Sequence, residues 1–308
     1  MAAAFALGAT VRALLAAGVA VSLVFGAAPA RAATYYLIIG GVGGDPVYAE
    51  AFAESTTAMA AAARRTLGDD SRITMLNGEL ATADAVRAAL AELSATSEAA
   101  DRVIVFLVGH GTYDGTDYKF NLTGPDIDGT EFAELLAALP AQSQLIVNAS
   151  SASGAVLEPW AAEGRTVVTA TRSGRERNAT RFAEHWAAAM SSDDADLNKS
   201  GVISAQEAFD YASRLVADSY EATGALATEH PEIRGDAASA FEVSRLTARI
   251  AATPEVDALN QQLTDLEEQI AALRLRREAL GDDYLPQLQV LLVQLAEVQQ
   301  EIDAAVAE

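Results

Sequence analysis

The sequence contains no cysteine, and that one absence excludes disulfides, thiolate metal sites and cysteine nucleophiles together. Positive charge is scarce as well: 21 Lys and Arg stand against 43 Asp and Glu, a formal net charge of -22. A field of that sign repels phosphate backbones and anionic lipid headgroups, which argues against nucleic acid as a partner. Histidine is nearly absent, with three in 308 residues. Two of them, His185 and His230, have no neighbours at a spacing that assigns a role. Half of the chain is apolar, enough for one α/β domain of ordinary size and an appendage.

Beyond the N-terminus, long apolar runs are missing too. Arg12 precedes an apolar stretch from Ala13 to Ala28, and Ala30-Arg31-Ala32 has the small-x-small pattern of a cleavage site. Residues 1–32 therefore read as a secretory signal, with the mature chain beginning near Ala33 in the periplasm or outside the cell. The apolar run is short for a span of roughly 20 residues, so no membrane span is expected after cleavage.

From Ala33 the chain takes on the rhythm of βαβ units: short β-branched runs alternate with alanine-rich helical segments. The runs are Tyr35 to Gly41, Ile73 to Leu76, Val103 to Gly109, Leu145 to Ala149 and Thr166 to Thr171. Helical composition fills Val47 to Leu67, Thr82 to Leu93, Thr130 to Leu139 and Leu157 to Glu163. Val103 to Val108 and Leu145 to Val147 are continuously apolar, as strands buried on both faces are. These features predict a largely parallel sheet over residues 33–190, with its chemistry at the carboxyl ends of the strands.

Two strand ends carry that chemistry. Val103 to Val108 runs into Gly109-His110-Gly111, and Leu145 to Ala149 runs into Ser150-Ser151-Ala152-Ser153-Gly154. Consecutive strands are usually neighbours, so both tips should face one crevice. The glycines beside His110 let backbone approach a ligand. This pairing resembles the caspase/legumain peptidases, in which a His-Gly motif after one strand and an Ala-Cys-x-Ser-Gly type of motif after the next carry a catalytic dyad. The resemblance runs from Tyr35 to Trp186 and implies a three-layer α/β domain with a mostly parallel central sheet. It matches His110 to the general base, the Gly111 N–H to an oxyanion donor, and Ser151 to the nucleophile, with Ser153 and Gly154 as the Ser-Gly after it.

Serine at the nucleophile position is the departure. A thiol is partly ionised near neutral pH, whereas a hydroxyl needs an oriented base within about 3 Å. Asp114 and Asp117 lie just past His110 and are candidates to orient it as in a Ser-His-Asp triad, but nothing in their spacing requires it and a solvated loop is the favoured reading. The serine favours an inactive, peptide- or protein-binding homologue over a hydrolase that uses Ser151 with His110, and reading error at strand ends leaves Ser150 an alternative occupant of the tip. After the next strand, Arg172, Arg175 and Arg177 cluster in an acidic protein. They either grip an acidic peptide or carboxylate, as the resemblance implies for this segment, or pair internally with Glu176 or Glu184.

Residues 191–222 hold a second motif. In Asp196-Leu197-Asn198-Lys199-Ser200-Gly201-Val202-Ile203-Ser204-Ala205-Gln206-Glu207, oxygen ligands fall at positions 1, 3, 5 and 9. Glycine stands at 6, a backbone carbonyl (Val202) is available at 7, an apolar plug sits at 8 and a glutamate at 12. This is the pattern of an EF-hand calcium loop, with Asp196, Asn198, Ser200, Val202, Ser204 and Glu207 as ligands. Only Asp196 and Glu207 among these are charged, which predicts weak, structural Ca2+ binding with a Kd of roughly 10⁻⁴ to 10⁻³ M.

Past a connecting segment, 223–253, the pattern changes again at Pro254. Val256, Leu259, Leu263, Leu266, Ile270, Leu273 and Leu280 keep heptad spacing, broken at Arg277. Leu288, Leu291, Leu295, Val298, Ile302 and Ala305 resume it after Gly281-Asp282-Asp283 and Pro286. Residues 254–308 thus predict an antiparallel helical hairpin. Its stripes either pack on the α/β domain or serve as a stalk or a homo-oligomer seam, which makes a structural or assembly protein a third reading of the chain.

Overall fold

In the computed structural model, residues 32–247 and 254–307 are described. The secretory segment expected over 1–32 lies, save for Ala32, outside them. Five parallel strands form the centre: β1 (Thr34–Gly40), β2 (Ile73–Asn77), β3 (Arg102–Val108), β7 (Ser143–Asn148) and β8 (Arg165–Thr169). Between β3 and β7 lies a small antiparallel sheet of β4 (Gly111–Tyr113), β5 (Tyr118–Phe120) and β6 (Ile127–Asp128). The main sheet reads β10-β8-β7-β3-β1-β2 from edge to edge, with β10 (Glu232–Arg234) antiparallel to β8.

The continuous apolar runs foreseen for central strands are buried on both faces: Val103 through Val108 and Leu145 through Val147 are at most 1% exposed. One face packs on α1 (Pro46–Leu67), α4 (Phe182–Ala189) and α5 (Ala205–Thr223), with Phe106, Phe182 and Trp186 at its heart. The other packs on α2 (Ala83–Thr96) and α3 (Gly129–Ala137), around Phe120, Phe132 and Trp160. This is the three-layer α/β architecture that the βαβ rhythm implies.

Two expectations change. Leu157 to Glu163, expected to be helical, is a run of turns after a short 3-10 segment at Ser153–Val156. Pro159 and Gly164 break so short a segment, and Trp160 takes over its role by donating from Nε1 to Gly129 O and accepting from Arg165 Nη1. Nor is 223–253 a mere connector. It supplies β10 to the main sheet and β11 (Glu242–Arg245), which pairs with β9 (Val202–Ser204).

The hairpin forms as α6 (Pro254–Leu275), a short α7 (Arg277–Leu280), a 3-10 turn and α8 (Tyr284–Ala307). The helix breaks at Arg276, one residue before the position where the heptad spacing fails. α6 packs on the α/β domain: Arg245, 5% exposed, joins Glu242 on β11 to Glu267 on α6, and Arg274 donates to Asn198 O. Among the described residues no helix is long and apolar enough to cross a membrane.

Candidate functional site

β1 leads to β2 on one side of the sheet, whereas β3 and then β7 continue on the other, so the strand order reverses between β1 and β3. Crevices form at such reversals, outside the carboxyl ends of the strands. β3 and β7 are adjacent and in register up to Leu107 and Asn148, and Ala149 N donates to Leu107 O at 2.8 Å. The histidine tip and the serine tip therefore share one edge. They touch at Gly111, where a Cβ would collide with Ser151 O and crowd Ser150 Oγ. Close approach of two backbones is the reason for glycine there.

Proximity has not made a dyad. The His110 ring stands edge-on to Tyr48 and Phe52 of α1, with centroids 4.9 and 5.1 Å away. Its Nε2 lies 3.2 Å from Gly43 O. A carbonyl only accepts, so Nε2 holds a proton and donates it there. No hydrogen bond joins His110 to Ser151. Asp114 and Asp117 are exposed in the β4–β5 turn, where Asp114 Oδ1 accepts from Thr116 N and Asp117 N. Those hydrogen bonds, from Asp117 first, lower its pKa and keep the carboxylate in the turn, away from the imidazole.

The two serines divide their roles. Ser150, wholly buried, is bound to Tyr118 OH (2.7 Å), Asn148 Oδ1 (2.8 Å) and Ser151 O (3.1 Å). Burial pushes the Tyr118 hydroxyl up to about 12, so it remains a protonated donor. Ser150 is a structural fixture. Ser151 makes no side-chain hydrogen bond among the described residues and is 2% exposed. Directly after it, Ala152 adopts φ 57°, a left-handed conformation that costs a non-glycine residue about 1 kcal/mol. Ala152 N donates to Glu176 O and Gly154 N to Thr171 Oγ1, both within 2.8 Å, and these bonds hold the strained turn. Gly111 opens β4 opposite Phe120.

The same bonds lay the arginine segment against the serine turn. Arg172 reaches Glu176 Oε1 at 3.5 Å in an exposed pair, while the exposed guanidinium groups of Arg175 and Arg177 have no ion-pair partner among the described residues. Glu176 is shared with His230, whose Nδ1 lies 2.6 Å from Oε1 and whose N donates to Oε2. His230, which had no role in the sequence, thus ties the approach to β10 onto this loop. His185 lies in α4 with Nε2 buried and unpaired, and desolvation lowers its pKa.

The loop at 196–207 is a separate site. Asp196 accepts from Ser200 N (3.0 Å) and Gly201 N (2.8 Å), and the chain turns through positive φ at Lys199 and Gly201. Ser200 Oγ meets Val202 O, Asn198 Nδ2 meets Glu207 Oε1 at 2.7 Å, and Ser204 Oγ meets Glu207 Oε2 at 2.8 Å. All six expected ligands are linked within one loop, and Asp196 and Glu207 are at most 8% exposed. Ile203 is fully buried, and β9 pairs with β11. Among the described residues no three His, Cys, Asp or Glu gather as a metal site, so a cation here would rely on four neutral oxygens beside two carboxylates, a donor set that would suit calcium.

Tyr118, Asn148, Tyr48 and Phe52 escaped the sequence reading. Only the tertiary fold brings them to the tips, since 30 residues separate Tyr118 from Asn148. No family model matches the chain, and no curated protein matches it. A crystal structure of protein GSU0716 from Geobacter sulfurreducens is similar, at 14% identity and a TM-score of 0.47, over 70% of this chain and 99% of that one. Likeness at that level carries no argument about function.

Proposed function

We propose that this chain is an exported, non-catalytic homologue of the caspase/legumain-type peptidases, with a crevice that binds an acidic peptide or protein segment. The observation that carries this reading is the state of His110: its Nε2 proton is committed to Gly43 O, and neither ring nitrogen is hydrogen-bonded to Ser151. A serine without an oriented base is a poor nucleophile. The adjacency of the two strand tips and the Ser-Gly after Ser151 support kinship with those peptidases. Arg175 and Arg177 supply charge for a carboxylate ligand. A calcium ion held by Asp196, Asn198, Ser200, Val202, Ser204 and Glu207 stabilises the segment after α4.

One observation favours the alternative, a serine hydrolase: next to the strained Ala152 turn, the buried Ser151 hydroxyl is bonded to no other group among the described residues. A fluorophosphonate probe separates the two. The binding reading expects no labelling of the folded, calcium-loaded chain, and labelling abolished by both Ser151→Ala and His110→Ala would sink it. Fluorescence anisotropy with a labelled oligoglutamate peptide tests the ligand class, where saturable binding lost in the Arg175→Ala/Arg177→Ala variant is expected.

A further inference from the structure

Glu176 carries a negative charge into the middle of the arginine segment, and the fold sets a histidine against it. The glutamate stands between Arg175 and Arg177, with its side chain 14% exposed, so water screens its charge only in part. Its backbone is anchored: Ala152 N donates to Glu176 O at 2.7 Å, which ties the residue to the turn after Ser151. Its carboxylate accepts from Arg172 N at 2.9 Å and from His230 N at 3.2 Å, both on Oε2. The His230 ring completes the set, with Nδ1 2.6 Å from Oε1. A carboxylate accepts, so Nδ1 donates, and the contact is charge-assisted when the ring is protonated.

Other charges lie near His230. Arg172 reaches the same Oε1 at 3.5 Å from an exposed position. Glu229, next in sequence and 2% exposed, turns to the start of α4, where it accepts from Arg181 N at 2.8 Å and from Phe182 N, and also from Tyr220 OH of α5. Arg181 lays its guanidinium over the Tyr220 ring and donates to Ser219. Glu232, two residues past His230, begins β10. Among the described groups bonded to the Glu176 carboxylate, His230 is the one whose residue type changes charge between about pH 5 and pH 8. With a charged ring, Glu176 and His230 cancel, and the segment offers its arginines to an anion. With a neutral ring, the Glu176 charge stands uncompensated among those arginines, where it repels an anion and competes for the same guanidinium groups.

We propose that His230 and Glu176 form a pH-set gate on the arginine segment: while His230 is charged, Arg175 and Arg177 bind a carboxylate ligand, and as pH rises and the ring loses its proton that binding weakens. The gate rests on the reading of those arginines as a carboxylate site. Fluorescence anisotropy with a labelled oligoaspartate peptide, whose carboxylates stay ionised throughout, tests it at about pH 6 and pH 8. The unmodified chain should bind about threefold more weakly at the higher pH, the effect of one unit charge a few ångströms from the ligand in water. His230→Gln should bind at the lower pH as weakly as the unmodified chain does at the higher. Glu176→Gln, which keeps an acceptor for Arg172 N and His230 N, should bind at the higher pH as tightly as the unmodified chain does at the lower. The opposite signs separate charge from scaffolding, because a pair that merely held the loop would lose binding in both variants. Equal affinity at both pH values, an undiminished pH effect in His230→Gln, or weaker binding by Glu176→Gln overturns the proposal. Absence of peptide binding by the unmodified chain at both pH values is a different result: it removes the carboxylate site itself, and the gate with it.

Discussion

The two strand tips at His110 and Ser151 and the loop at 196–207 were both read from short motifs, and the structure treats them differently. In the loop, each feature that the motif requires is local: an aspartate accepting from the amides four and five residues on, two left-handed turns, and a glutamate that also caps α5. At the strand tips the motif residues come together without forming a dyad: His110 is bound to Gly43 and the Ser150 hydroxyl to Tyr118 and Asn148, while the Ser151 hydroxyl has no partner among the described residues. A motif written in backbone geometry survives on its own. One that needs two distant tips to meet in register depends on everything packed beneath them.

The glycines sharpen this contrast most. At Gly154 a Cβ would collide with the backbone of Thr171, Arg172 and Ser173, so Gly154→Ala should cost about 3 kcal/mol in urea unfolding. Gly201 faces open space and needs only its positive φ of 76°. Gly201→Ala should therefore cost about 1 kcal/mol by the same measurement. Equal losses would mean that the loop is as tightly enclosed as the crevice.

Calcium has the next largest effect. At about 10 mM it should stabilise the chain by about 1.4 to 2.7 kcal/mol, for a Kd of roughly 10⁻³ to 10⁻⁴ M. Calorimetry of Glu207→Gln, which retains the helix cap but loses the charge, should show no such gain; an undiminished gain would place the ion elsewhere.

A smaller effect concerns His185. Burial lowers its pKa, so the folded chain takes up this proton less readily than the unfolded one. Its contribution to stability is intact above the unfolded value of about 6.5 and drains away as pH falls through the lower folded value. The drop in Tm between pH 7 and pH 5 should be shallower in His185→Leu, and an unchanged drop would show that His185 does not titrate in that window.

The smallest expected change is none. Ser151→Cys introduces the thiol that the proposed peptidase kinship implies, but with His110 committed to Gly43 and the position buried, that thiol should alkylate with an apparent pKa no lower than the about 8.5 of a free cysteine. A strongly lowered value would show that the imidazole swings over to it, and would bring the crevice closer to catalysis than its geometry implies.

Periodicity and local chemistry made much of the molecule legible. The five parallel strands, three of the four expected crossing helices and the two helices of the C-terminal hairpin were readable, because each is set by side-chain spacing within one segment. The β4–β6 sheet, β10 and β11 were not. Their strands are two to four residues long, too short to carry a period, and exist only because partner strands are presented to them.

Residue order alone establishes that no cysteine thiol chemistry occurs, that His110 and a serine follow apolar runs of strand composition, and that the loop can offer six oxygens. What each serine bonds to was decided in three dimensions, because Tyr118 and Asn148 arrive from other elements to hold the Ser150 hydroxyl, while the Ser151 hydroxyl has no partner among the described residues. So was the direction of His110 toward α1, since the Tyr48 and Phe52 rings and Gly43 O hold the imidazole where no local pattern directs it. Side-chain direction at a crevice belongs to whatever packs around it, and that packing is assembled from segments far apart in the chain.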